Sequence, residues 1–289
     1  MRRFLAGGTA VATLLSTVAA YADQPRPWEW YFQEPATKIM KEIEWFNAYT
    51  LWFIIPITVL VLVLLAYCII RFRESVNPTP SRTSHNTMIE VIWTVGPVLV
   101  LLCIAVPSFK LLSAQYNPPE EPKMTLKATG NQWNWDYEYQ EGEQPLSFNS
   151  ALLGDSDREG LGKQDLATYP RLLTVDNELV VPVNTPVRVL VTASDVIHAF
   201  AMPAFGIKVD AVPGRINETW FNAEKEGLYY GQCSELCGKD HAFMPIAIRV
   251  VSNDQYNTWM AAAKSDLPGA NKALMAQVDG TKKVAVAGN

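Results

Sequence analysis

The sequence predicts an α+β membrane protein, an N-terminal two-helix transmembrane hairpin followed by an all-β domain. Three observations predict it. Residues 48–70 and 91–109 are uncharged apolar runs, each long enough as a helix to cross a hydrocarbon core of roughly 30 Å. Beyond the stretch NPPEEP at 117–122 the pattern changes to short runs of β-branched and aromatic residues separated by Pro, Gly and Asn, which suits an antiparallel sandwich or barrel. Late in that region GQCSELCGKDHAFMP, residues 231–245, gathers two thiols, an imidazole and a thioether.

Residues 1–22 read as a signal peptide: Arg2 and Arg3, an apolar core through Ala20, then Ala20, Tyr21 and Ala22 as a small-residue cleavage site. An uncleaved anchor helix is the alternative, although Gly7, Gly8 and several hydroxyl residues dilute the core. Residues 23–47 form an arm whose Trp28 and Trp30 suit a membrane interface or a partner surface. The hairpin occupies 48–112, with helices over about 48–70 and 91–110. Pro56, Pro97 and Pro107 are tolerated there because neighbouring helices satisfy the freed backbone groups. The connecting loop holds Arg71, Arg73 and Arg82 against Glu74, which places it in the cytoplasm and both ends of the hairpin on the opposite side. Thr87 and Glu90 are spaced as a capping box at the start of the second helix.

A stiff linker covers 113–123 and ends the second helix. The β-type runs are 124–129, 133–139, 172–175, 178–183, 187–192, 215–222, 228–232 and 246–251, within a domain at 124–252. Residues 140–170 are polar and glycine-rich and read as an inserted surface loop. A terminal helix is expected at 254–264, within 253–289, and a mobile tail from Asp266.

The net charge of −5 argues against a nucleic-acid partner. Residues 117–252 carry 11 Lys and Arg against 19 Asp and Glu, a field that attracts a basic partner, although ordinary solubility accounts for it too. Of the four cysteines, Cys68 and Cys103 lie in the apolar runs as inert thiols. Their depths along the helices differ by roughly 14 Å, too far for a disulfide.

Thiolate, imidazole and thioether form a soft donor set that suits copper better than magnesium, calcium or manganese. Cys237, His241 and Met244 are spaced like the ligand loop of a single-copper site. Cys233 is one thiolate too many for that, and two thiolates can bridge two coppers. A second imidazole must come from another loop, and His198 in SDVIHAFAMP is the candidate. Zinc is the main rival, since Cys₂His₂ is a common structural set, but zinc needs no Met244. A Cys233–Cys237 disulfide would be the metal-free, oxidised form.

VIHAFAMPAFGIKVDAVPGR and YYGQCSELCGKDHAFMPIAIRV closely resemble subunit II of the haem-copper, cytochrome c oxidase family, and the resemblance runs from about Trp45 to Ser252. It implies a cupredoxin-like domain with a dinuclear copper-A centre: Cys233 and Cys237 bridging, His198 and His241 terminal, Met244 a weak ligand on one copper and the Glu235 carbonyl on the other. The Glu235 side chain would contact a magnesium ion shared with subunit I; a solvated loop glutamate is the plainer account. In GNQWNW the first tryptophan, Trp133, would lie exposed and receive the electron. Strict alternation would place Trp133 with Trp135, Tyr137 and Tyr139 on one face, so the strand would have to begin after Trp133. Asn131 and Asn134 depart from the usual family pattern. Glu138, Asp176 and Asp195 match the family's docking carboxylates for cytochrome c, with Asp136 adjacent, and Glu90 matches the mouth of a proton path.

The implied protein is the electron-accepting subunit of a proton-translocating oxidase in a bacterial inner membrane, its C-terminal domain in the periplasm, with subunit I and other oxidase subunits as partners. Oxygen reduction would occur elsewhere, because the chain lacks the helices and histidines to hold haem. A quinol oxidase subunit would lack the copper ligands. Nitrous oxide reductase carries a propeller domain for which the chain is too short. A copper carrier would need neither Trp133 nor the hairpin. A fused cytochrome c would bring a Cys-x-x-Cys-His motif, and none occurs.

Overall fold

The computed structural model describes residues 24–140 and 145–287, with side chains through 278; the expected signal peptide lies outside them. Two long helices come first, α1 (Lys38–Arg71) and α2 (Thr87–Tyr116). At about 51 and 45 Å both outrun the bilayer core. The expected bounds of 48–70 and 91–110 were therefore short, and the arm at 23–47 gives its second part to α1. The reason is that the bilayer limits polarity, not helicity, and Lys41, Glu42 and Glu44 are good helix formers beyond the apolar run. The cap of α2 is also displaced by one residue. Asn86, a stronger cap than Thr, accepts from the Ile89 amide at 3.3 Å, and Glu90 reaches back to the Asn86 amide at 3.3 Å. Thr87 is the first helical residue.

Tyr49 Oη donates to the Cys103 carbonyl across the hairpin at 3.1 Å. The most apolar window of each helix is wholly unburied within the chain, as surfaces meant for lipid or partner helices must be. Cys68 and Cys103 are free and exposed on these helices.

The remainder is a two-sheet sandwich of ten strands among the described residues. The strands are β1 (Met124–Asn131), β2 (Asn134–Tyr139), β3 (Leu146–Ser150), β4 (Leu179–Pro182), β5 (Val187–Ala193), β6 (His198–Met202), β7 (Ile207–Ala211), β8 (Asn217–Phe221), β9 (Gly227–Cys233) and β10 (Pro245–Val251). One sheet has the order β3-β2-β1-β5-β8, the other β4-β10-β9-β6-β7. The expected all-antiparallel pairing is corrected: β1 with β5 and β4 with β10 are parallel, because the chain changes sheet between the members of each pair.

Residues 172–175 form no strand and contribute only the bridge Leu152–Val175. β3 arises inside the expected loop, and β6 and β7 fall outside the expected runs, although IKVDA in β7 does alternate. β6 is buried along its whole length, so it shows no period of two. Trp135, Tyr137 and Tyr139 on β2 face the core as alternation predicts, and Tyr139 Oη both accepts from and donates to Val180 on β4.

The hairpin is tied to the sandwich beside the end of β6. The Ala36 amide donates to the Ala204 carbonyl at 2.9 Å, and Thr37 Oγ1 donates to the Phe205 carbonyl at 2.8 Å while capping α1. Trp220 Nε1 on β8 donates to the Ala114 carbonyl of α2 at 3.2 Å. The expected mobile tail is likewise corrected. After α3 (Asn253–Ala263), opened by a Ser252/Gln255 capping box, α4 (Leu267–Ala287) buries Ala270 and Leu274 against the core. Apolar residues at 267, 270, 274 and 278 already hold helical spacing.

One ion cluster closes the core beneath the insert. Glu178, just ahead of β4, sits between Arg249 of β10 and Lys163 of the insert, all three buried. Lys163 Nζ also donates to the Val175 and Asp176 carbonyls, and Arg249 Nη2 to Tyr169 Oη. Burial pushes the Glu178 carboxyl up, but the two cations more than reverse this and bring it to about 2. A carboxyl depressed below its ordinary 4.5 stabilises the fold fully above that value, and the contribution drains away as pH falls toward about 2. Glu178→Gln, which strands two buried cations, is expected to cost about 3–5 kcal/mol near neutral pH. Urea midpoints followed by tryptophan fluorescence should show the gap to the unsubstituted chain narrowing as pH falls; a gap independent of pH would refute this.

Candidate metal centre

The donors converge at one end of the second sheet. Cys233 ends β9, and its amide donates to the Met244 carbonyl at 3.2 Å, closing the base of the loop between β9 and β10. A 3₁₀ turn at His241–Phe243 carries the second imidazole. His198 opens β6, with β9 paired alongside. His198, Cys233, Cys237 and Met244 are buried and His241 is half-buried.

The spacing within the set divides it in two. Cys233 Sγ lies 3.9 Å from His198 Nδ1 and 3.3 Å from the Glu235 carbonyl. Cys237 Sγ lies 3.5 Å from His241 Nδ1 and 3.6 Å from Met244 Sδ. The two sulfurs are 3.9 Å apart. Each thiol therefore has its own imidazole and its own weak donor, and six donors exceed the four of a tetrahedral structural zinc site. The chemistry of this set fits a soft metal of the copper type.

Two glycines make the room. A side chain at Gly130 on β1 would meet the His198 ring at 3.0 Å, and Gly238, at φ +124°, would meet Trp133 Cζ2 at 3.0 Å. A Cβ at either position would push the ring it meets aside, and the positive φ of Gly238 disfavours any side chain there.

Residues 124–251 match the profile of the cytochrome c oxidase subunit II periplasmic domain, and residues 25–111 match that of its transmembrane domain. The chain belongs to the cytochrome c oxidase subunit II family. It is 45% identical to a probable cytochrome c oxidase subunit 2 of Rickettsia felis, covering 92% of this chain and 82% of that one. The corresponding protein of Rickettsia bellii is 44% identical over 93% of this chain and 97% of its own length. Among solved structures, the periplasmic domain of subunit II (CoxB) of Bradyrhizobium japonicum is 56% identical and covers 50% of this chain and 96% of that one, with a TM-score of 0.44. The family is membrane-anchored with a cupredoxin-like domain, in keeping with the helices and sandwich described above.

The other expected residues fall in three places. Trp133 is half-buried in the turn before β2, which begins at Asn134 and so frees this ring from the core face. Its Nε1 donates to the Cys237 carbonyl at 3.3 Å, and Lys239 Nζ lies 5.7 Å from the ring centroid. Asp136 and Asp176 lie along one rim, linked through Asn149 and Asn177, and Glu138 follows on the same strand as Asp136. Asp195 is at that rim as well, though both of its oxygens are engaged inward. Burial pushes its carboxyl up, and hydrogen bonds from His198 and from the Val196 and Gln132 amides more than reverse this, holding it below its ordinary value. The Glu235 side chain is exposed, and Glu90 is half-buried at the far end of the hairpin from the donors.

Two features escaped the sequence reading. Gln132 donates through Nε2 to the Cys237 carbonyl at 2.8 Å, and its place beside Trp133 was the only signal. Leu236, Phe243, Val196 and Ile197 form an exposed apolar fringe to the donor loops, scattered in sequence and joined only by folding.

Burial, and then the neighbouring Cys233 sulfur, push the Cys237 thiol up to about 12. In the metal-free protein this group is protonated near neutral pH, and a metal must displace the proton. Loading reduced protein with copper should therefore release at least one proton per chain and tighten as pH rises. Titration calorimetry in two buffers of different ionisation enthalpy measures the release, and equal heats in both would refute it.

Proposed function

We propose that the chain accepts electrons from cytochrome c at a dinuclear copper-A centre and delivers them to haem in subunit I of a proton-translocating, oxygen-reducing oxidase. The division of the donors into two thiol–imidazole pairs across a 3.9 Å sulfur–sulfur gap carries this reading. When bound, a copper pair supplies a one-electron store that changes charge without changing its ligands. Cys233 and Cys237 would bridge it, His198 and His241 would end it, and Met244 and the Glu235 carbonyl would be its weak donors. Burial of the thiols keeps water from the sulfurs. Their proximity also allows a disulfide in an oxidising compartment, so a reductant and a copper chaperone belong to assembly.

Trp133 offers the electron a short path, from a half-buried ring at the rim through one hydrogen bond to the backbone of Cys237. Asp136, Glu138 and Asp176 give a lysine-rich cytochrome an acidic rim, which chiefly sets association rate and salt dependence. The exposed Glu235 carboxylate would hold a magnesium ion shared with subunit I. At the opposite end of the hairpin Glu90 would open a proton path into the partner while still bonding the Asn86 amide. The arginines of the intervening loop support a bacterial inner-membrane setting with the β-domain in the periplasm.

Metal analysis and electron paramagnetic resonance of copper-loaded protein should find two coppers sharing one unpaired electron; zinc alone or one isolated copper would overturn the reading. Rapid-mixing kinetics of the assembled oxidase should separate the supporting roles. Neutralising Asp136, Glu138 and Asp176 together should slow association roughly tenfold at low salt and little at high salt. Trp133→Phe should slow copper reduction after docking, and Glu90→Ala should slow turnover with copper reduction intact. Equal association rates at both salts, or unchanged rates in the other two variants, would remove the respective assignments.

A further inference from the structure

Asp195 lies three residues ahead of His198, in the bend that leads into β6. Its Oδ1 is 2.9 Å from His198 Nε2 and also accepts from the Val196 amide at 2.6 Å. Its Oδ2 accepts from the Gln132 amide at 2.7 Å. The His198 side chain is wholly buried, whereas 32% of the Asp195 side chain is exposed.

A carboxylate can only accept, so the proton of a neutral His198 sits on Nε2 and the lone pair of Nδ1 faces Cys233. Gly130 confines one side of the ring, and Trp135 packs edge-on to it, with ring centroids 6.2 Å apart and planes at 61°. Rotation in the remaining direction is set by the carboxylate. The second oxygen reaches further. The Gln132 backbone that it holds carries Trp133, and both side chains of that pair donate to the Cys237 carbonyl.

We infer that Asp195 is a positioning residue of the metal centre: one carboxylate fixes the tautomer and tilt of His198 and sets the Trp133 turn against Cys237. This rests on the copper reading above. A carboxylate on the remote nitrogen makes the imidazole a stronger donor and favours the oxidised state of whatever metal it binds. Asp136 provides the contrast. Among the described residues it accepts only from the side chains of Asn131 and Asn149, at 2.8 and 2.7 Å, and touches none of the donors.

The test compares Asp195→Asn with Asp136→Asn in the assembled oxidase, since each removes one negative charge. Three quantities are read: the potential of the copper pair, the remote-nitrogen signal of its imidazoles by pulsed paramagnetic resonance, and the salt dependence of cytochrome c association. Asp195→Asn should move the redox equilibrium about tenfold toward the reduced form, equivalent to about 59 mV for one electron, and change the signal of one imidazole. Asp136→Asn should leave both and slow association at low salt. An Asp195→Asn oxidase with unmoved potential and nitrogen signal, altered only in association, overturns the inference. Should that variant fail to assemble, Asp195→Glu keeps the charge but displaces it, and must still alter the nitrogen signal of one imidazole; an unaltered signal overturns the inference. Absence of a two-copper signal in the unsubstituted protein overturns the parent reading and this one with it, whereas failure in the variants alone leaves the parent reading standing.

Discussion

Two sulfurs held 3.9 Å apart in a buried pocket are the constraint on which the rest of the molecule depends. Burial and the neighbouring sulfur push the Cys237 thiol up, and a bound cation would offset both. The fold supplies what such a cation needs. A strand end fixes Cys233, a loop closed by the Met244 carbonyl fixes Cys237 and His241, and a third, fully buried strand begins with His198. Because His198 and Cys233 sit on paired strands of one sheet, their spacing follows from the sheet's hydrogen bonds, while Cys237, His241 and Met244 are placed by the loop between β9 and β10.

The other sheet provides the surroundings of the centre. β1 ends in Gly130 and Asn131, which leave space for His198 and lead into the Gln132–Trp133 turn. The Trp133 ring thus belongs to one sheet and the sulfur and imidazole donors to the other, and they meet at the rim of the sandwich. The membrane hairpin is fastened close by. Ala36 and Thr37 bond the carbonyls of Ala204 and Phe205, just past the end of the strand that His198 begins. Through that short segment the metal centre is placed relative to α1, and through Trp220 relative to α2.

The buried cluster of Lys163, Glu178 and Arg249 serves a different end. It locks the insert onto β4 and β10 away from the donors, and its ionic character makes the fold sensitive to acid. Nothing in the run from 140 to 170 announced it, because a lysine in a polar, glycine-rich loop reads as solvated until its partners are known. The same difficulty hid β3, which lies in that run, and β6, whose burial on both faces erases alternation. The helix bounds failed for another reason, since hydropathy reports the membrane and not where the backbone ladder stops.

Sequence by itself determined the hairpin, the all-β character of the following domain and the identity of the soft donors. Each of those follows from local chemistry: apolar length, strand periodicity, and the ligand preferences of sulfur and imidazole at close spacing. Tertiary structure alone decided that one imidazole belongs to each thiol, that β1 and β5 run parallel, and that Asp195 turns inward to His198 while Asp136 stays at the surface. Those outcomes depend on contacts such as His198 with Cys233 and Asp195 with Gln132, tens of positions apart, and a carboxylate in a sequence carries no mark of which way it will point.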